Sequence, residues 1–159
     1  RDYTTVTDLS WEPLYGVTAY GAVYHGSTFN NRFIGLAENK YTDANDMPVV
    51  RRRITPLYYS NFDEVTFREF YLDLEVGTTP LLAGLGRDPQ CLLDVSRDGG
   101  YTWINMDWRS IGKQGEYEQA VKWANLGRGR SLTVRITFSD PSPIILYGAR
   151  LTFDASTRR

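Results

Sequence analysis

Apolar and polar residues alternate with period two along most of the chain, and no segment sustains a helical period for three turns. In "VTFREFYLDLEVG" Phe70, Leu72, Leu74 and Val76 share one face, and Glu69, Tyr71, Asp73 and Glu75 share the other. "SLTVRITFSDP" sets Leu132, Val134, Ile136 and Phe138 against Thr133, Arg135 and Thr137. "LYGARLTFD" points Tyr147, Ala149, Leu151 and Phe153 inward, and "EYEQAVKW" does the same with Tyr117, Val121 and Trp123. Each pattern predicts a strand with one buried and one wet face. The fold class is all-β.

Glycine and proline clusters separate the strands: "GTTPLLAGLGRDP" (77–89), "RDGG" (97–100), "GKQG" (112–115), "LGRGR" (126–130) and "SDPSP" (139–143). Short strands broken by such turns predict an antiparallel β-sandwich, and the long 77–89 connection suggests a jelly-roll-like crossover. The first fifty residues have thinner apolar faces, in "YGVTAYGAVYHG", "NRFIGLAEN" and "VVRRRITPLYY". A soft boundary between Pro56 and Asp63 therefore divides a strand-rich segment, 1–56, from a sandwich domain, 57–159. The N-terminal segment reads as the end of a propeller-like region or a linker. Beginning at Arg1 in mid-pattern, the sequence reads as a piece of a longer polypeptide.

Composition narrows the classes. With 42% hydrophobic and 23% charged residues the chain is an ordinary soluble globular sequence. A formal net charge of −1 gives no general attraction to nucleic acid or membrane. Of 18 basic side chains only Lys40, Lys113 and Lys122 are lysines. The arginine excess suits fixed ion pairs, aromatic stacking and protein contacts, although codon bias explains it equally well. Cys91 stands alone in the apolar run "CLLDV", which excludes an internal disulfide and favours a buried small hydrophobe over a nucleophile.

"SRDGGYTW" (96–103) fits the S-x-D-x-G-x-T-W pattern of the Asp-box, a turn repeated in sialidases. Its chemistry is local. Gly99 and Gly100 allow the positive φ of a tight turn, Ser96 and Asp98 accept hydrogen bonds from turn N–H groups, and Trp103 folds back on the hairpin. A sialidase would need about six four-stranded blades and a convergent arginine triad. A single box is not a propeller, and in a strand Arg51 and Arg53 point away from Arg52. No catalytic residue, metal site or cofactor is assigned. The carboxylate pairs Asp63/Glu64, Asp73/Glu75 and Glu116/Glu118 read as solvated surface. His25 has no triad partner in pattern. Asp43, Asn45 and Asp46 read as an Asx turn rather than a calcium loop. "GLGRD" and "GRGR" lack the context of a phosphate cradle.

From Leu93 onward a larger pattern stands out. The Asp-box hairpin, "SIGKQGEY", a strand ending in Trp123, "LGRGR", a strand closing in "FSDP" and then "LYGARLTF" follow in order. This series resembles the C-terminal part of the packaged-DNA stabilisation proteins of short-tailed bacteriophages, also called tail accessory or head-closure factors. "NKYTDANDMPVVRRRITP" is similar to the exit from that family's propeller-like region. The resemblance implies a virion structural protein made in the bacterial host cytoplasm. It would close the portal channel in a ring of copies, beside other tail and portal proteins, with DNA contact only along the channel and no membrane. An isolated piece could remain monomeric. Arg51, Arg53, Trp108, Arg128 and Arg130 are the expected protein contacts, chosen for exposure at turns and strand edges. The alternative is a carbohydrate-binding module that stacks sugars on Trp108, Tyr117 and Trp123.

Overall fold

The computed structural model describes residues 13–28, 31–35, 37, 40–42, 47–59, 63–80 and 82–155. Among these residues every regular element is a strand, and the chain divides into two compact units, Arg1–Lys40 and Tyr41–Arg159. In the first, β1 (Pro13–Ala19), β2 (Ala22–Ser27) and β3 (Phe33–Gly35) form an antiparallel meander. The Nδ1 of His25 lies 3.1 Å from the carbonyl oxygen of Leu14 within it. In the second unit the Asp43, Asn45 and Asp46 turn lies outside the described residues. Its flanks meet where the Val49 N–H donates to the Tyr41 carbonyl at 3.1 Å.

The rest of the second unit is a β-sandwich. Its strands are β4 (Arg51–Ile54), β5 (Tyr58–Tyr59), β6 (Val65–Leu74), β7 (Gln90–Ser96), β8 (Ile104–Ser110), β9 (Val121–Gly129), β10 (Ser131–Phe138) and β11 (Leu146–Ala155). One sheet runs β4-β10-β7-β8, with β5 also on β10, and the other runs β11-β6-β9. The pairs β7·β8, β6·β9 and β4·β10 nest one inside the next, as in a long hairpin rolled up on itself. This is the nesting of a jelly roll, in which a further outermost pair would flank β11. The 77–89 connection carries the chain from one sheet to the other.

The expected boundary near residue 56 falls inside this unit, because β4 pairs along β10 through Arg51↔Phe138 and Ile54↔Arg135. Pro56 interrupts an edge strand, the place where a missing N–H is tolerated. Thr55 spans the break: its N–H donates to the Val134 carbonyl at 2.9 Å, and its hydroxyl accepts the Val134 N–H at 3.0 Å.

The core fills the space between the sheets. Phe67, Leu72, Val121, Trp123 and Leu126 face Leu93, Val95, Leu132, Val134 and Ile136, all nearly fully buried. Trp123, expected in the core or in a sugar platform, is core; its Nε1–H donates to the Asp107 carbonyl at 2.8 Å. Cys91 is fully buried, and burial pushes its thiol up to about 12, so it packs as a hydrophobe.

The structure departs from the sequence pattern at two bulges and at one strand start. Both ladders of β6 shift register around Arg68, so the buried set changes phase from Val65 and Phe67 to Phe70, Leu72 and Leu74. A second shift between Leu146 and Gly148 turns Leu146 toward the core and leaves Tyr147 66% exposed rather than inward. The strand expected from Glu116 begins only at Val121, and Glu116–Ala120 is an exposed turn containing Tyr117.

Leu72→Ala, at a site 2% exposed, is expected to cost about 3 kcal/mol in urea denaturation. Tyr147→Ala should stay within about 0.5 kcal/mol. Equal losses would contradict the placement of the β11 bulge.

Candidate functional site

The β7–β8 hairpin is the innermost pair of the roll, and its turn is the Asp-box. Gly99 and Gly100 take φ of 78° and 103°, a region open to glycine at little cost. Asp98 accepts the Ser96 hydroxyl at 2.6 Å, the Thr102 hydroxyl, and the Thr102 N–H at 2.9 Å to Oδ1. Ser96 Oγ in turn accepts the Gly100 N–H at 2.8 Å. These bonds, the Ser96 hydroxyl first and then the Thr102 hydroxyl and N–H, hold the Asp98 carboxyl well below the usual carboxylate range. The carboxylate is ionised and engaged with its own turn, an arrangement unsuited to a general acid. Trp103 folds back so that a Cβ on Gly100 would stand 3.5 Å from its ring.

Two arginines extend this turn into the sandwich. Arg97 reaches across to β9, where its Nη2 donates to the Leu126 carbonyl at 2.8 Å, while its own carbonyl accepts the Ser131 hydroxyl at 2.8 Å. The side chain lies over the glycines of "LGRGR". A Cβ on Gly127, where φ is 91°, would stand 2.0 Å from Arg97 Nη2. The two motifs therefore meet in space: the glycines make room for the arginine of the Asp-box. On the outer face of the first sheet, Arg135 lies between the Trp103 ring, 4.3 Å from its centroid, and Asp94, whose Oδ2 accepts the Nε–H at 2.9 Å. Asp94 is buried, and this partner compensates its charge.

The expected contact residues do not converge. Arg51 and Arg53 stand on β4 and Trp108 on β8, at opposite edges of one sheet, roughly 14 Å apart at normal strand spacing. Arg128 and Arg130 lie at the β9–β10 turn, at the other end of β10 from the Arg51↔Phe138 pair. Arg51 is also not the exposed residue that was expected. It is half-buried against the 139–143 turn, donating to the carbonyls of Ser142 at 2.8 Å and Asp140 at 2.7 Å. Burial lowers its pKa, opposed by Tyr41 and Asp140. Arg53 and Arg130 are exposed. Arg128 is exposed and ion-paired with Glu64 at 3.2 Å, and Trp108 is half-buried opposite Leu92. Tyr117 lines a shallow depression made by Gly115–Gln119, while Trp123 is buried in the core, so the three aromatics make no common sugar platform.

Sequence reasoning missed Arg97 and the Asp94–Arg135–Trp103 stack. The Arg97–Gly127 approach depends on the tertiary fold, and the Asp94↔Arg135 pairing depends on a register that one strand's pattern does not contain. The only local signal was the spacing of glycines in "LGRGR".

Gly127→Ala should cost about 1–3 kcal/mol through the strained φ and the displaced arginine. The cost should shrink by at least about 0.5 kcal/mol in an Arg97→Ala background. Additive losses in urea denaturation would separate the two motifs. Asp98→Asn should lower the urea midpoint at pH 7. Because the folded-state carboxyl is depressed, its contribution is complete above the unfolded value of about 3.9 and is lost as pH falls through the lower folded value. The difference between wild type and variant should therefore narrow only below about pH 4.

Residues 50–154 match the family model described as Bacteriophage P22 Gp10, beta-sandwich, and the match takes in the sandwich strands up to the penultimate residue of β11. No curated protein matches the chain. With two sheets rolled around one core and roughly two thirds of its length matched, the chain belongs to the Bacteriophage P22 Gp10 beta-sandwich family, a family of phage structural proteins.

Proposed function

We propose that this chain serves as a non-catalytic part of the head–tail connector of a short-tailed phage, closing the portal channel and helping to retain packaged DNA. The family match over the sandwich carries the reading. The Asp-box supports it from the chemical side, since its acid is committed to the hydroxyls and N–H of its own turn. In this reading several copies assemble in the virion beside other tail and portal proteins. The strands ahead of the sandwich are the exit of a propeller-like or linker region. DNA passes the channel without strong phosphate contacts, which suits a chain of net charge −1.

Rigid sandwiches suit such assembly because contacts on their edges need little ordering. Among the contact residues expected from the sequence, Arg128 and Arg130 share one exposed turn and are the pair to test. Arg128→Glu with Arg130→Glu in the full-length virion protein should leave circular dichroism unchanged. Incorporation into particles should fall, and nuclease-accessible DNA should rise. Particles with normal incorporation and sealed DNA would count against a contact at this turn.

A further inference from the structure

The Asp-box contains a chemically fragile step. Asp98–Gly99 is the one aspartyl–glycine pair among 159 residues, and asparaginyl–glycine does not occur. An aspartyl side chain can be attacked at Cγ by the backbone nitrogen of the next residue. The Cγ–N bond forms, and one carboxyl oxygen leaves as water, carrying the carboxyl proton and the amide proton. The product is a five-membered succinimide. Water then opens either of its carbonyls, giving back aspartate or leaving isoaspartate, in which the main chain runs through Cβ and Cγ. A glycine in the second position has no Cβ to crowd the attack, and its backbone turns into it readily. Both residues are exposed, so burial does not keep water or motion from the step.

The turn opposes this reaction at two points. Ring closure needs the carboxyl swung toward the Gly99 nitrogen. Instead Oδ1 accepts the Ser96 hydroxyl at 2.6 Å and the Thr102 N–H at 2.9 Å, and Oδ2 accepts the Thr102 hydroxyl. Loss of water needs a protonated carboxyl, and the same donors favour the ionised form. We propose that Asp98–Gly99 is a latent isomerisation site, and that the hydrogen bonds of the Asp-box keep it closed. The modification would also undo its own protection. Isoaspartate adds one atom to the main chain of the turn and takes away the acceptor on which Ser96 and Thr102 converge. Arg97, next in the chain, would then lose the fixed point from which it reaches the Leu126 carbonyl and the Ser131 hydroxyl. The bonds that build the turn therefore also preserve it chemically. This inference rests on the geometry of the turn and not on the connector reading.

The test is mass spectrometry of the full chain incubated in heavy-oxygen water at about pH 5, just above the ordinary carboxylate value. Each passage through the succinimide adds a heavy oxygen at residue 98, and electron-transfer fragmentation separates isoaspartate from aspartate. Folded wild type should react at least about tenfold more slowly than the same chain unfolded in urea, since its carboxyl is protonated correspondingly less often. Thr102→Val and Ser96→Ala, each checked for folding by circular dichroism, should react roughly fivefold to tenfold faster than folded wild type, the worth of one hydrogen bond to a charged group. Thr102→Ser keeps the hydroxyl and should stay as slow as wild type. A folded wild type that reacts as fast as the unfolded chain would overturn the proposal, and this comparison needs no variant. Folded Thr102→Val or Ser96→Ala as slow as wild type would overturn it too, because the stiffness of the backbone alone would then be the protection.

Discussion

The roll is organised around one ionised carboxylate. Asp98 gathers the Ser96 and Thr102 hydroxyls and the Thr102 N–H, and so fixes the turn that joins β7 to β8. Every other pair in the roll wraps outside this hairpin. A fixed turn also fixes where Arg97 leaves it, and Arg97 carries the constraint to the β9–β10 corner through the Leu126 carbonyl and the Ser131 hydroxyl. β9 and β10 belong to different sheets, so a single residue, through its side chain and its carbonyl, ties the hairpin to the place where the chain crosses between layers.

Much of the fold was legible because strands with one wet face write their period into the sequence. Phe70, Leu72 and Leu74, and likewise Leu132, Val134, Ile136 and Phe138, lie inward as their alternation requires. Bulges are where legibility failed. One extra residue reverses the phase without leaving a distinctive letter, which hid Val65 and Phe67 and turned Tyr147 outward. The Asp-box letters were readable because their contacts span only a few residues. Arg97 and Gly127 were not, because their approach is made by the fold and not by neighbours in sequence. Arg51 misled for a related reason: an arginine on an edge strand reads as exposed until a distant turn supplies carbonyls for it.

The same physics separates this turn from the chemistry its letters suggest. A hydrolytic acid needs a raised pKa and a neighbour that changes protonation with it. Here the surrounding donors favour the charged form throughout the neutral range. The arginines follow the same logic. Arg51, Arg97 and Arg135 are engaged with carbonyls, an indole and a buried carboxylate, and so hold the sandwich together. The turn proposed for partner contact, at Arg128 and Arg130, lies outside these interactions and is exposed.

The most direct measurement is a carbon-13 NMR titration of the Asp98 carboxyl in the folded protein, with Thr102 amide exchange followed in the same samples. A carboxyl that remains ionised well below the ordinary midpoint of about 3.9, with the Thr102 amide protected until it protonates, is the expected result. A midpoint at or above that value, or a Thr102 amide that exchanges freely at neutral pH, would contradict a turn built on this carboxylate.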